Sequence, residues 1–397
     1  MIRPPVLKIA GHEPSATNQA VDPPKEGAPR ERKLRGGGGV ATIKDVAHKA
    51  GVSAMTVSRV INGRSNVHRR TRAEVNAAIS ELSYMPNAAA RSLGGVQPIR
   101  LGLLYSNPSA AYLSEFLVGI LDYASRANLQ MIVEKCGLGE HAEEAARRLL
   151  RGGVDGIVLP PPLCDAPGLL DLLREANLPA VTVASGHPAP GFSAVSINDH
   201  QAAFEMTRHL AALGHQRIGF IVGNPNQTAS ERRLTGYRDA LGAVGLDYAE
   251  ELVVQGLFTY RSGLDMAELL FEVANPPTAI FASNDDMAAA TVAVAHRRGF
   301  DVPNDVTVCG FDDTPLATTI WPELTTIRQP IIDMSLAAVE LLTKEIRSVR
   351  AGCREIPRHL QLDFQLVRRQ SDAAPRVRPF SYVTHLPTDI GRASRSN

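Results

Sequence analysis

Residues 42–93 read TIKDVAHKAGVSAMTVSRVINGRSNVHRRTRAEVNAAISELSYMPNAAARSL. Thr42 is placed to N-cap a helix whose apolar positions Ile43, Val46, Ala47 and Ala50 share one face. Gly51 follows, where a helix end wants a residue free to take positive φ. Ser53 is placed to cap a second helix, Ser53 to Asn62, with Val57, Val60 and Ile61 inward and Met55, Ser58, Arg59 and Asn62 elsewhere on its surface. Thr71 is expected to cap a third, carrying Val75, Ala78, Ile79 and Leu82. Two short helices about a Gly turn predict a helix-turn-helix unit, whose second helix enters the major groove of DNA.

Charge agrees with this. Eight Lys and Arg against three Asp and Glu leave residues 41–95 at +5, while the chain as a whole stands at +1 and is net acidic beyond residue 95. A basic head on an acidic body suits phosphate contact. Charge alone is equally compatible with a solvated basic module. The Gly51-Val52-Ser53 turn followed by Arg59 and Asn62 favours the DNA reader. From Pro86 to Gly95 a second element follows: Asn87 caps a short helix, Ala88 to Leu93, stopped by Gly94 and Gly95. So short a helix is marginal alone in water and is expected to order only when DNA and a partner chain hold it.

The segment closely resembles the DNA-binding head of the lactose-repressor (LacI/GalR) family. The matching residues are DVA at 45–47, AGVS at 50–53, TVSRVIN at 56–62, and YMPN with AARSL at 84–93. The resemblance implies that Ser53, Ala54, Met55, Ser58 and Arg59 lie at or near base edges, and that Thr42, Asn62 and Thr71 help to hold the backbone. It extends the DNA-binding set to Thr56, Tyr84, Asn87, Arg91 and Leu93, with Leu93 as an apolar wedge that kinks the minor groove. Ala54 and Met55 occupy the family's variable positions; both are apolar, so reading there is by contact, as with a thymine methyl. Arg59 is assigned a guanine contact, a phosphate contact being the competing reading.

The 397 residues predict two or three domains, and 44% apolar content supplies a large core. No run of some 18 apolar residues and no apolar signal core stands in the chain, so neither a membrane partner nor export is expected. Cys136, Cys164, Cys309 and Cys353 are far apart and show no CxxC, which predicts reduced thiols in a cytoplasm and neither a metal site nor a disulfide framework; the resemblance to a DNA-binding head implies nucleoid association. Residues 1–40, rich in Pro and Gly with GGGG at 36–39, are expected to be a disordered extension.

Beyond residue 98, β-rich runs alternate with helical stretches. Strand candidates are Ile99–Tyr105, Gln130–Val133, Gly156–Leu159, Val181–Val183, Val195–Ile197, Ile218–Val222, Leu252–Val254, Ala279–Ala282 and Val306–Phe311, with helices such as Glu140–Arg151, Gln201–Leu213 and Arg232–Ala243. This α/β alternation predicts two doubly wound parallel-sheet lobes with a ligand cleft at the C-terminal ends of the strands. The resemblance runs on through LGHQRIGFI at 213–221, ERRLTGYRDAL at 231–241, FASNDDMA at 281–288, VTVCGFDDT at 306–314 and PELTTIRQP at 322–330. It implies a periplasmic-binding-protein-like body. The expected domains are the head over 41–85, a hinge helix and linker over 86–98, a body over 99–369 and a flexible tail over 370–397. Within the body, lobe one is about 99–197 plus 330–356, and lobe two about 198–329 plus 357–369.

By the same resemblance Arg233, Phe258, Asn284 and Asp312 are effector-binding positions, joined from the other lobe by Tyr105 and Ser106. Arg and Asp can pair and hydrogen-bond hydroxyls, Asn donates and accepts, and a ring stacks on an apolar sugar face. The competing readings are a structural Arg233–Asp312 ion pair and core packing for Phe258. Ser185, also counted among the effector-binding positions, stands where the lactose repressor carries a carboxylate, and Asn198–Asp199 where many members read Asp-Asn. The resemblance therefore implies a DNA-binding transcriptional regulator of the repressor type, controlled by a small carbohydrate-like effector. Its expected partners are a pseudo-palindromic double-stranded DNA operator and a second copy of the chain. The tail lacks apolar heptads, so a dimer rather than a tetramer is expected. A solute-binding receptor of the same body fold is the alternative; the basic head argues against it. No GxSxG, P-loop or HExxH spacing appears, and the adjacent Asp285 and Asp286 make a poor acid/base pair, so neither an enzyme nor a cofactor is expected.

Overall fold

The computed structural model describes residues 41–61, 67–82, 84, 98–127, 129–137, 140–353 and 355–376. The chain forms two compact units that meet in sequence at Gly95–Val96. The expectations for residues 1–40, Asn62, the hinge residues Asn87, Arg91 and Leu93, and 377–397 lie outside the described residues.

The first unit contains α1 (Ile43–Lys49), α2 (Ala54–Ile61) and α3 (Arg69–Glu81). Val46, Ala47, Val57, Val60, Val75 and Ala78, spaced three or four apart, meet as one small core that also takes in Tyr84. Gly51 sits at φ +64 between the first two helices, where a Cβ-bearing residue would be strained. The third helix begins three residues before the expected point. His68 is its N-cap, its Nδ1 accepting from Arg70 N at 3.4 Å, and Thr71 falls inside the first turn.

The second unit has two lobes. Lobe one opens with β1 (Arg100–Tyr105), α4 (Ala110–Ala127), β2 (Gln130–Lys135), α5 (Glu140–Arg151), β3 (Gly156–Leu159), α6 (Pro167–Glu175), β4 (Ala180–Val183) and β5 (Ser193–Ser196). Lobe two continues with α7 (Asp199–Ala212), β6 (Ile218–Val222), α8 (Thr228–Ala243), β7 (Val253–Gln255), α9 (Tyr260–Glu272), β8 (Ala279–Ala282), α10 (Asp285–Arg297), β9 (Thr307–Asp312), α11 (Leu316–Thr319) and β10 (Thr325–Arg328). The chain then returns through α12 (Ile331–Arg350) and β11 (His359–Gln361) to lobe one, and ends in lobe two with β12 (Gln365–Val367). The sheet orders are β11-β5-β4-β3-β1-β2 and β12-β10-β9-β8-β6-β7. All pairings are parallel except β10 with β12.

Strands β3, β4, β6, β8 and β9 are buried from end to end, as parallel strands covered by helices on both faces must be. In lobe two Phe220 stacks on Tyr237 with ring centroids 4.8 Å apart and meets Phe281 edge-on at 5.2 Å. Such a core holds the strand ends, and the loops after them, in fixed register.

Three expectations are corrected. Strands β10, β11 and β12 were absent from the candidates, because Thr325-Thr326-Ile327-Arg328 is polar in composition and the other two are three residues long. The last crossing between lobes lies within 362–364 rather than at 356, because His359–Gln361 pairs with Ala194–Ser196 of lobe one. The tail is anchored at its start. Ser371 is fully buried, donating to Val308 O at 2.5 Å and accepting from Thr325 N at 2.8 Å, and Asp372 receives His209 Nε2 at 2.7 Å.

Candidate functional site

In the head, Thr42 N and Oγ1 donate to the Asp45 carboxylate at 2.8 and 2.7 Å, holding its pKa below the usual carboxylate value. Ser53 Oγ accepts from Thr56 N at 3.1 Å and shares a hydrogen bond with Thr56 Oγ1 at 2.9 Å, which fixes the start of α2. Val57 and Val60 tie that helix to the core, so its opposite face must point outward. Met55, 65% exposed, and Arg59, also exposed, stand there one turn apart, with Arg59 Nη2 against Met55 Sδ at 3.7 Å. Ala54, Thr56 and Ser58 flank them half-buried. The outcome is a rigid helix with an apolar contact and a five-donor guanidinium side by side. Tyr84 is not on this surface: it is 7% exposed and packs in the head core. Thr71 is half-buried in α3.

In the body, a cleft of about 400 Å³ lies between the lobes at the C-terminal ends of the strands. Lobe two lines it with Gln227, Ala229, Arg233, Phe258, Asn284 and Asp312; lobe one with Asn107, Pro108, Ser109, Tyr112, Pro161 and Ala184; and Gln329 closes it at the crossing. Thus four of the expected residues come together here.

Arg233 is 4% exposed. Its Nε donates to Asp199 Oδ1 at 2.8 Å and its Nη1 to Ser283 O at 2.5 Å. Its guanidinium lies 3.6 Å from the Phe311 ring centroid and 5.7 Å from that of Phe258. Its ion-pair partner is therefore Asp199 at the start of α7, and the competing reading of a structural Arg233–Asp312 pair falls away. Asp312, at φ +110, instead accepts from Gln329 Nε2 at 2.6 Å. Burial pushes the Asp312 pKa up to about 7, outweighing the opposing pull of Arg233. Burial likewise raises the pKa values of Asp199 and of Asp285 just beneath the cleft. Asp285 accepts from Thr314 N at 2.8 Å and Thr326 Oγ1 at 2.7 Å, and so ties the loops after β9 to β10.

Asn284 is a scaffold as much as a wall. Its Oδ1 caps α10 by accepting from Met287 N at 3.0 Å, and its Nδ2 donates to Phe258 O at 3.1 Å. That second bond helps to hold Phe258 at φ +60 with its ring over Gly223, where any Cβ would collide with it.

Three expected residues are placed elsewhere. Tyr105 ends β1, and Ser106 follows before the chain has turned across the cleft; neither lines it. The turn comes one to six residues later: Ser109 N donates to Asn107 Oδ1 at 2.8 Å, and Ser109 Oγ accepts from Tyr112 N at 3.3 Å. Ser185 belongs to a lock between lobes. Its Oγ donates to Asp165 Oδ1 at 2.5 Å, while Asp165 Oδ2 accepts Thr228 N and Oγ1, both at 2.9 Å. Thr228 Oγ1 in turn accepts Gly186 N at 2.8 Å. Tyr112, Gln329, Asp165 and Thr228 were missed from sequence. Tyr112 sits in an ordinary apolar helical stripe, and the others are polar residues in loops or at a helix start, without a local pattern.

Two buried polar atoms of the cleft, the Tyr112 hydroxyl and Gln329 Oε1, have no hydrogen-bond partner among the described residues. Groups so placed cost about 1–3 kcal/mol each when left unsatisfied, and a bound polar molecule would supply what they lack.

Residues 42–87 match the family described as bacterial regulatory proteins, lacI family, and residues 207–371 the periplasmic binding protein-like domain. The catabolite control protein A of Priestia megaterium is 35% identical over 305 residues, 76% of this chain and 92% of that protein. Among solved structures, a transcriptional regulator CelR–cellobiose complex is similar at 33% identity and TM-score 0.64, covering 83% of this chain and 99% of that one. A lac repressor dimer bound to operator and the anti-inducer ONPF gives 28% identity and TM-score 0.69, covering 85% and 100%.

Proposed function

The chain belongs to the LacI family of bacterial regulatory proteins, and from that premise we propose how its parts divide the work of a DNA-binding transcriptional regulator. Helix α2 enters the major groove, with Arg59 on a base edge and Met55 and Ala54 in apolar contact beside it. Asn87, Arg91 and Leu93 serve the minor groove. The cleft between the lobes binds a small carbohydrate-like effector, held by Arg233, Asp312, Tyr112 and Gln329. The chain acts as a dimer in the cytoplasm, at the nucleoid, on two half-sites in inverted repeat.

The observation that carries this reading is the cleft itself: a site between the lobes with two unsatisfied buried polar groups, in the same chain as a head whose reading helix exposes Met55 and Arg59. The Asp165–Thr228–Ser185 lock supplies the means of coupling, because an effector that favours one spacing of the lobes works with or against those bonds. Selection of bound sequences from a random double-stranded pool by the full chain is expected to return an inverted repeat with half-site centres about one helical turn, roughly 10 base pairs, apart. Recovery of unrelated sequences in proportion to their abundance would remove the operator-reading function.

A further inference from the structure

The cleft has a single cation among its described lining residues, Arg233, and that charge is already matched. Asp199 meets its Nε at 2.8 Å, and both side chains are buried, at 5% and 2% exposed. Ser283 O takes Nη1, and two aromatic faces shield the guanidinium from solvent. What else lines the cavity is neutral or acidic: the Asp312 carboxyl and Gln329 Oε1 as acceptors, and the Asn107, Gln227 and Tyr112 side chains able to donate or accept. An anionic ligand would bring its charge into a dehydrated space beside Asp312 with no uncommitted cation to receive it.

We propose that this cleft takes an uncharged, hydroxyl-rich ligand and rejects the acidic and phosphorylated forms of the same ligand, with Asp199 as the specificity-determining residue. The inference rests on the reading of the cleft as a carbohydrate-like effector site. It deepens that reading by assigning the ligand's charge. Ligand hydroxyls donate to Asp312 and Gln329 Oε1 and accept from Tyr112 and the free N–H groups of Arg233. That Asp312 is raised to about 7 although Arg233 is near agrees with a site whose positive field is spent. Position 199 matters here, since it sets a carboxylate rather than a neutral amide against Arg233. An amide at 199 would hydrogen-bond Arg233 without cancelling its charge, leaving that charge for the ligand.

The test is calorimetric titration of the full chain with matched trios: a neutral sugar, its acid and its phosphate, such as glucose, glucuronate and glucose 6-phosphate, and cellobiose with cellobionate. The expected result is that a neutral member binds at least tenfold more tightly than its charged counterparts. In Asp199→Asn, binding of the charged members should strengthen at least tenfold. An acid or phosphate binding the wild-type chain more tightly than its neutral parent would overturn the charge assignment while leaving a carbohydrate site in place. Failure of every member, neutral and charged, would overturn the carbohydrate reading and the inference with it. Should Asp199→Asn not fold, as judged by circular dichroism, the wild-type ranking alone decides.

Discussion

Arg233→Leu is expected to lower the stability of the body by about 3–5 kcal/mol and to abolish the response to effector. The pair with Asp199 is buried on both sides, so removing the guanidinium leaves a carboxylate with neither water nor counter-ion. It also frees Ser283 O of its donor and empties the space between Phe311 and Phe258. The Asp199 pKa stands above its ordinary 3.8 even with Arg233 present, through burial, and loss of the cation raises it further. A raised carboxyl pKa penalises the folded state at pH values above the unfolded pKa. The deficit therefore grows as pH rises above the unfolded value and shrinks as pH falls and Asp199 takes a proton. Urea unfolding followed by circular dichroism at pH 7 and pH 5 measures both parts. The double variant Arg233→Leu/Asp199→Leu is expected to recover most of the stability and none of the ligand binding. A single-variant loss below about 1 kcal/mol would mean that the pair is solvated in solution and that the closed cleft is misread.

Arg59→Ala is expected to weaken operator binding by about 1–3 kcal/mol, roughly five- to 150-fold, while weakening binding to random DNA far less. The asymmetry is the informative part. A guanidinium on a guanine edge contributes to one base pair, so its loss relaxes preference at one position of each half-site. A guanidinium on phosphate contributes to all sequences alike and is largely replaced by lysine. Fluorescence anisotropy at two salt concentrations, with operator and random duplexes and with Arg59→Ala and Arg59→Lys, separates these. Equal losses on both duplexes, restored by lysine, would move Arg59 to the backbone.

Much of the architecture was legible because it rests on periodicity. The spacing of Val46, Val57, Val60, Val75 and Ala78 marked the head core, and short apolar runs such as Ile218–Val222 and Ala279–Ala282 marked strands buried on both faces. What escaped depends on tertiary neighbours. Thr325 and Thr326 are fully buried only because β9 pairs with their strand, the tail residues Ser371 and Asp372 meet Thr325, and Asp285 accepts from the Thr326 hydroxyl. The sequence reading paired Arg233 only with Asp312, and nothing local says that Asp199 wins while Asp312 turns to Gln329. Ser106 was assigned by its position after a strand and Ser185 by the resemblance. Yet the direction of a loop decides whether a residue faces the cleft, and Ser185 is drawn to Asp165 instead.

The central claim is that the cleft and the head are linked. By thermodynamic necessity, whatever factor a cleft ligand applies to operator affinity, the operator must apply to ligand affinity. The direct measurement is a pair of titrations on the wild-type chain: operator affinity with and without a saturating neutral sugar that binds the cleft, and sugar affinity with and without operator. Both are expected to shift by the same factor, in the range of about 5- to 150-fold typical of such coupling. Operator affinity unchanged at saturating sugar, with sugar affinity unchanged by operator, would contradict it.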